Sequence, residues 1–349
     1  MTPVPPASPK PHKNRRLDAT LPPGAQPSDS GLLGPIEIKA IADALGIRPT
    51  KVLGQNFVHD AGTVRRIVRA AEVVATDDVI EVGPGLGSLT LALLETGAHV
   101  RAVEIDPPLA LALPETVRAR MPEAVSRFSV VLRDAMTVRS VNDLIPDQLQ
   151  AEQDGSEAKA TIAPNKLVAN LPYNVAVPVL LSMLEHLPTL TDVLVMVQAE
   201  VADRLAAQPG SRTYGVPSVK AAWYGQAERA GTIGRSVFWP VPNVDSALVR
   251  LRRNHEPRGD EALRLATFEV CDVAFGQRRK TLRAAMRTWA GSTEAANLLL
   301  EKADVDPSVR GETLGIEQFV RIGRALLDLR AEGVIAPAVT QGSRGHAHA

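Results

Sequence analysis

Short runs of β-branched and other apolar residues alternate with helical stretches between Ala61 and about Arg253. A helix is expected to end near Leu94 and another to begin at Glu200. Because strands that alternate with helices form a parallel sheet covered on both faces, the pattern predicts an α/β, doubly wound fold. Its ligand crevice is expected beyond the carboxyl ends of the strands. The predicted strands are Asp78–Val82, His99–Glu104, Phe128–Arg133, Lys166–Ala169 and Asp192–Val197.

The pattern changes at both ends of this region. After the last strand the chain is wholly helical to about Arg330, which predicts a separate, small, all-helical C-terminal domain. The first residues are rich in Pro and Ser and bury too little apolar surface to offset the entropy lost on ordering. The expected regions are a disordered tail (1–30), a sheet domain (31–253) with a polar surface insertion (150–164), a helical domain (254–331) and a flexible tail (332–349).

The composition of the chain limits where in the cell the protein is expected. Hydrophobic residues make up 45% of the chain, but no apolar run reaches the roughly 18 residues of a membrane span. The N-terminal basic residues are not followed by an apolar run of signal-peptide length, so secretion is not expected. The single cysteine, Cys271, excludes an intramolecular disulfide and fits a reducing compartment. A cytoplasmic protein without membrane contact is therefore predicted.

The formal net charge of +0 hides one basic cluster between Phe275 and Trp289. Three of its residues recur every four positions, so one helix face is expected to carry Arg279, Arg283 and Arg287. Such a cluster is typical either of contact with nucleic-acid phosphates or of a solvated helix face, and charge alone leaves both open. The complete cluster is Arg278, Arg279, Lys280, Arg283 and Arg287.

A glycine loop, Glu81-Val-Gly83-Pro-Gly85-Leu-Gly87, follows the first predicted strand and opens a helix. Glycines allow the backbone to turn sharply and approach a ligand, and the helix N-terminus offers free N–H groups. Glu104 closes the next strand about 20 residues later, where a carboxylate accepts hydrogen bonds from ribose hydroxyls. These features are typical of a binding site for either NAD or S-adenosylmethionine.

Two observations favour S-adenosylmethionine as the cofactor. The glycines are spaced G-x-G-x-G, so the dinucleotide fingerprint G-x-G-x-x-G is not met. Asp134 stands at the end of the third strand, where its carboxylate can accept a hydrogen bond from an adenine amino group. The alternative, that Asp134 is only a helix N-cap, remains open at this stage.

The fourth predicted strand is followed by the segment Asn170-Leu171-Pro172-Tyr173. This segment is typical of a site that binds an amino group attached to a planar ring. An exocyclic adenine amine is a poor nucleophile because its lone pair is delocalised into the ring. The Asn170 side-chain oxygen and the Leu171 carbonyl, which Pro172 holds in an extended backbone, can accept from that amine. Tyr173 can stack on the base. Direct methyl transfer to an unstacked adenine is predicted, with no metal; a simple turn is the alternative.

Four further segments resemble the ribosomal RNA adenine dimethyltransferases, most closely the bacterial small-subunit enzymes. The resemblance runs from about Leu53 to Leu282. Ala199 and Ala284 depart from the lysine and asparagine common among relatives, which affects RNA affinity rather than the chemistry. The segments are Leu53-Gly-Gln-Asn56-Phe-Val58-His-Asp60, Gln198-Ala-Glu200-Val-Ala-Asp-Arg204, Phe238-Trp-Pro-Val-Pro242-Asn-Val-Asp245-Ser246 and Phe275-Gly-Gln-Arg278-Arg279-Lys280-Thr-Leu282.

The resemblance implies a class I S-adenosylmethionine-dependent methyltransferase sheet and a monomer. It implies four methyl transfers, two to each of two adjacent adenosines in a hairpin loop near the 3′ end of 16S rRNA in the 30S particle. It also implies that the basic cluster contacts RNA and that the Phe238–Asp245 loop shapes the base pocket. The cofactor positions that it implies are Asn56, the backbone at Val58, Gly83, Gly85, Glu104, Asp134 and Asn170.

Three other functions are alternatives to an rRNA adenine dimethyltransferase of the small subunit. A macrolide-resistance methyltransferase of 23S rRNA shares the fold and chemistry, but that branch commonly has isoleucine where Leu171 stands. For a ribosome-assembly factor that acts mainly by binding, the intact Asn170–Tyr173 motif argues against an inactive enzyme, while a second role as an assembly checkpoint stays open. An NAD-dependent oxidoreductase lacks the glycine spacing and a hydride-transfer acid.

Overall fold

The computed structural model describes residues 31–48, 55–146 and 163–337. The predicted N-terminal tail, residues 150–162 of the predicted insertion and residues 338–349 lie outside the described residues. No helix within the described ranges is both long and apolar enough to cross a membrane.

The described residues contain nine strands, seven of which form a central sheet. In chain order the strands are β1 (Phe57–Val58), β2 (Asp78–Val82), β3 (His99–Glu104), β4 (Phe128–Leu132), β5 (Lys166–Asn170), β6 (Asp192–Gln198), β7 (Gly225–Ile233), β8 (Phe238–Trp239) and β9 (Ser246–Arg253). The sheet order is β4-β3-β2-β5-β6-β9-β7. The five predicted strands, β2 to β6, lie within one residue of their expected bounds and pair in parallel.

Helices cover both faces of this sheet. Val79 and Ile80 are neighbours on β2, yet they belong to two different buried apolar clusters, because successive strand residues point to opposite faces. The α/β, doubly wound prediction is confirmed. The α-helices are α1 (Pro35–Ala44), α2 (Ala61–Ala70), α3 (Ser88–Leu94), α4 (Pro107–Arg120), α5 (Ala176–His186), α6 (Ala199–Leu205), α7 (Val216–Tyr224), α8 (Glu261–Gly276), α9 (Leu282–Ala290), α10 (Thr293–Lys302) and α11 (Ile316–Ala331).

The expectation of a wholly parallel sheet is wrong at one edge. Strand β9 runs antiparallel to β6 and to β7. Parallel neighbours need a crossover connection, usually a helix, but between β7 and β9 the chain forms only a short 3₁₀ helix, Arg235–Val237, and strand β8. The return is therefore antiparallel, and it carries the first residues of β9 to the carboxyl end of β6.

The predicted helical C-terminal region contains α8 to α11, which enclose a third apolar cluster around Phe319 and Met286. Leu263 on α8 and Val320 on α11 belong instead to the cluster that covers one face of the sheet. The helical region thus packs directly against the sheet region.

The predicted start of the flexible tail at residue 332 is wrong for residues 332–337. Ile335 is 2% exposed and packs in the C-terminal cluster. The Val334 N–H donates to Leu329 O (2.9 Å), and Arg330 donates to Ala336 O (3.1 Å). The apolar residue Ile335 follows α11 so closely in the sequence that its side chain folds back and packs against the helical region.

Candidate active site

A cavity of about 260 Å³ opens at the carboxyl ends of β2 to β5. Every residue predicted for the cofactor or for catalysis lines it, although these residues come from five separate segments. They are Asn56, Val58, Gly83, Gly85, Glu104, Asp134, Asn170, Leu171, Pro172 and Tyr173. The parallel strands explain this convergence, because their carboxyl ends meet at one edge of the sheet.

The glycine loop forms the floor of the cavity. Gly83 and Gly85 have φ angles of +69° and +58°, a region that residues with a Cβ rarely adopt. A Cβ on Gly85 would lie 2.9 Å from the ring of Phe57 on β1. The loop can therefore pack under the Phe57 ring only because Gly85 lacks a side chain.

Glu104 is held in place by the backbone around it. Its Oε2 accepts from the Gly85 N–H (3.2 Å), and its Oε1 accepts from the Asp106 N–H (3.0 Å). The side chain is 4% exposed, and burial raises its pKa, which these backbone donors oppose. A carboxylate has about four lone-pair sites. The Glu104 carboxylate therefore keeps acceptor sites that are available to ribose hydroxyls.

Asp134 is the N-cap of a short 3₁₀ helix and also lines the cavity. Its Oδ1 accepts from the Met136 N–H (2.8 Å) and so caps the 3₁₀ helix Ala135–Thr137. The same side chain lines the cavity. The cap fixes the direction of the carboxylate without using all of its acceptor sites.

Asn170 ends β5, and its amide is oriented by the segment that precedes β1. Its Nδ2 donates to the backbone oxygen of Asn56 (3.1 Å). The carbonyl side of the amide, Oδ1, consequently faces away from Asn56 O. Next to it, the Leu171 N–H donates to Met196 O on β6 (3.1 Å), which fixes the peptide immediately before the one that carries the predicted second acceptor, the Leu171 carbonyl.

Tyr173 follows these acceptors in a loop and is half-buried. Its hydroxyl shares a hydrogen bond with Ser246 Oγ (2.8 Å) at the start of β9. Burial raises the pKa of the Tyr173 phenol, the Ser246 hydrogen bond lowers it and nearby Asp245 raises it. The phenol is therefore neutral at physiological pH.

The structure adds cavity residues that sequence reasoning did not select. Gln55 Nε2 donates to Asp106 Oδ2 (2.9 Å) and links the segment before β1 to the start of α4. Thr90 Oγ1 donates to Glu81 Oε2 (2.6 Å); burial raises the pKa of Glu81 to about 8, and the charge of Glu104 adds to this rise. Gln55 stood within the Leu53–Asp60 motif and Glu81 within the glycine loop, but nothing in the pattern showed their partners.

Strand β1, which lines the cavity, belongs to a two-stranded ribbon. Strand β1 pairs antiparallel with β8, and the Phe57 and Trp239 rings stack with centroids 6.2 Å apart. This pairing joins the motif that contains Asn56 and Val58 to the start of the Phe238–Asp245 loop. The two segments are separated by about 180 residues, so only the tertiary structure reveals the contact.

The basic cluster is not brought into the cavity, and the predicted helix face is wrong in part. Helix α9 begins at Leu282 after the N-cap Thr281, so Arg279 precedes the helix. Arg278 is half-buried, where it donates to Glu312 (2.8 Å) and to Arg212 O (2.8 Å). The remaining residues are exposed: Arg279, Lys280, Arg283 and Arg287. A capping threonine sets the helix start, and the four-residue spacing does not extend it.

The chain is similar to named proteins over most of its length. The family model described as Ribosomal RNA adenine dimethylase matches residues 48–327. The Ribosomal RNA small subunit methyltransferase A of Streptomyces coelicolor is 59% identical over 298 residues, which cover 85% of this chain and 98% of that protein. The protein of the same name from Corynebacterium glutamicum (strain R) is 53% identical over 302 residues, with coverage of 86% and 97%.

Solved structures show a similar fold. The 23S rRNA methyltransferase ErmE is 26% identical, with a TM-score of 0.54, and the match covers 77% of this chain and 99% of that chain. A dimethyladenosine transferase from Plasmodium falciparum has a TM-score of 0.62 at 21% identity, with coverage of 80% and 99%. At that identity the second similarity concerns the fold alone.

Proposed function

Because the chain belongs to the ribosomal RNA adenine dimethylase family, we propose that its substrate is the 16S rRNA of the 30S particle. The chain is an S-adenosylmethionine-dependent rRNA adenine dimethyltransferase. The proposed targets are two adjacent adenosines in a hairpin loop near the 3′ end, each of which receives two methyl groups on N6. Relatives named for the small subunit are 53–59% identical to this chain, whereas ErmE, named for 23S rRNA, is 26% identical.

The orientation of Asn170 carries the proposed chemistry, methyl transfer to the exocyclic amine of an adenine. With Nδ2 donating to Asn56 O, the amide presents Oδ1 as an acceptor. Oδ1 and the Leu171 carbonyl can each accept one hydrogen of an exocyclic amine and together draw its nitrogen towards tetrahedral geometry. That geometry returns the lone pair to the nitrogen. Positioning of this kind is the main contribution a protein can make when no covalent intermediate is formed.

Tyr173 supplies the face on which the target adenine is proposed to stack. A ring beside the acceptors keeps the base plane fixed, so that the amine meets the methyl group in line. The base has to leave its stack to enter the cavity, which favours an adenosine in a loop. The Phe238–Asp245 loop, which carries the exposed apolar side chains Val241 and Val244, is proposed to shape the base pocket.

The residues around the cavity fit S-adenosylmethionine. We assign Glu104 to the ribose hydroxyls, Asp134 to the adenine amino group and the backbone at Val58 and Gly83 to the remaining polar groups. The glycine loop fits a closely bound ligand, because Gly83 and Gly85 line the cavity without a side chain. When bound, the cofactor supplies a sulfonium methyl group that the adenine nitrogen attacks, with loss of one proton and release of S-adenosylhomocysteine.

The exposed basic residues around α9 are proposed to contact the phosphates of the rRNA. Arg283 and Arg287 lie on its exposed face, and Arg279 and Lys280 precede its N-cap. Arg278 is assigned a supporting role, since Glu312 already neutralises it. We further propose that the enzyme acts in the cytoplasm as a monomer.

The direct test is methyl transfer from labelled S-adenosylmethionine to unmethylated 30S and 50S subunits in parallel, with identification of the modified nucleosides. We expect N6,N6-dimethyladenosine in 30S subunits only. Label in 50S subunits would assign the chain to the macrolide-resistance type. Binding to 30S precursors without label in either subunit would instead favour an assembly factor.

A further inference from the structure

We propose that Ser246 is a positioning residue that holds the Tyr173 ring at the angle needed to stack on the target adenine. The inference rests on the proposed role of Tyr173. Ser246 is 0% exposed and shares a 2.8 Å hydrogen bond with the Tyr173 hydroxyl. It does not line the cavity, so it acts through the tyrosine and not on the substrate.

Ser246 is anchored more firmly than Tyr173. It is the first residue of β9, where it pairs with Gln198 on β6 and with Ile233 on β7. The preceding carbonyl, Asp245 O, accepts from the Ala199 N–H (2.9 Å). Strands on both sides thus hold the serine at the carboxyl edge of the sheet.

Tyr173 lacks comparable support from its own segment. It lies between the end of β5 and the start of α5, and the two residues that follow it, Asn174 and Val175, are exposed. A tyrosine ring in a loop can rotate about two side-chain torsions unless its far end is fixed. The hydroxyl is that far end, and the bond to Ser246 fixes it.

A fixed ring matters most for the second methyl transfer to the same nitrogen. N6-methyladenosine carries one bulky substituent on the amine, so fewer base orientations leave the nitrogen lone pair directed at the methyl donor. A ring free to tilt would permit unproductive orientations of this larger base. Loss of the Tyr173–Ser246 bond is therefore expected to slow the second transfer more than the first.

The test is a double-mutant cycle of Tyr173→Phe and Ser246→Ala on the full chain, with unmethylated 30S subunits as substrate. Each single substitution is expected to lower kcat for the second transfer by roughly three- to tenfold, the range of one hydrogen bond. We expect N6-methyladenosine to accumulate and the double variant to be no slower than either single variant. Tyr173→Phe removes only the hydroxyl, so it remains informative if Ser246→Ala does not fold.

Three measurements separate positioning from a general loss of structure. S-adenosylhomocysteine affinity and the thermal midpoint of Tyr173→Phe should stay close to those of the unaltered chain. Ser218→Ala removes another buried serine, whose hydroxyl donates to Arg204 O, and should lower stability without changing the product ratio. Multiplicative effects in the double variant, or an unchanged product ratio in Tyr173→Phe, would overturn the proposal.

The experiments distinguish a failure of the proposed function from a failure of the proposed role of Ser246. If the unaltered chain does not methylate 30S subunits, the substrate assignment is wrong before any variant is compared. If it does, and Tyr173→Ala is inactive while Tyr173→Phe forms dimethyladenosine normally, stacking stands and the role of Ser246 is rejected.

Discussion

Asn170 Nδ2 donates to the backbone oxygen of Asn56 across 3.1 Å, and this contact leaves Oδ1 as the end of the Asn170 amide that is directed away from Asn56 O. The two residues are 114 positions apart in the chain. The segment proposed to contact the cofactor therefore also orients the acceptor proposed for the adenine amine.

Replacing Asn170 by Ala removes this acceptor. We expect kcat to fall by about 10²-fold or more, the scale seen when one preorganised hydrogen-bonding group is removed from an active site. Single-turnover methyl transfer to 30S subunits measures the effect. Asn142→Ala, an exposed asparagine that does not line the cavity, is the control. Near-normal turnover of Asn170→Ala would contradict the proposed role.

Replacing Glu104 by Gln should weaken binding of S-adenosylhomocysteine by roughly 10- to 100-fold, because a hydrogen bond to a charged group contributes about 1.5–3 kcal/mol. Calorimetric titration measures this affinity. Glu95→Gln provides a comparison, since Glu95 pairs with Arg65 and does not line the cavity. Equal affinities for the two variants would remove Glu104 from the cofactor site.

Replacing Gly85 by Ala should destabilise the chain more than replacing Gly210 by Ala. Both glycines have positive φ, which costs a residue with a Cβ about 1–3 kcal/mol. Only at Gly85 would the added Cβ also collide, at 2.9 Å from Phe57; nothing lies within 4 Å at Gly210. Urea unfolding of both variants isolates the collision. Similar losses would show that the Phe57 wall moves freely.

Replacing Glu81 by Gln should change how stability depends on pH. The folded pKa of Glu81 is raised to about 8 from 4.5 by burial. The stability linked to its protonated form is fully present below pH 4.5 and is lost as pH rises to about 8. The free energy of unfolding of the unaltered chain, relative to Glu81→Gln, should therefore fall between pH 5 and 8, roughly by a few kcal/mol. A constant difference over this range would mean that Glu81 is ionised throughout.

Reversing the charge of Arg283 and Arg287 together should weaken binding to 30S subunits. Each lost phosphate contact should also reduce the slope of log affinity against log salt by about 0.7–0.9. Filter binding over a salt series measures both effects. Arg324→Glu, an exposed charge on α11, controls for the general change in charge. An unchanged slope would mean that α9 does not contact phosphates.

The sequence by itself determined the strands β2 to β6 and ten of the residues that line the cavity. Each strand is a short run rich in β-branched and other apolar residues, and Gly83, Glu104, Asp134 and Asn170 stand at or just beyond the end of such a run. Because parallel strands align their carboxyl ends, the order of Gly83, Glu104, Asp134 and Asn170 along the chain was sufficient to predict their convergence. Short-range patterns encode such features directly.

Only the tertiary structure decided the remaining features. Strand β7 lies at the sheet edge and pairs with β9 alone, so most of its side chains are not buried and its sequence lacks a strand pattern. The direction of β9 depends on the connection before it, and the start of α9 depends on the Thr281 cap. The contacts of Asn170 with Asn56 and of Tyr173 with Ser246 join segments 114 and 73 positions apart. No local pattern specifies a partner at that distance, because the packing of the whole sheet selects it.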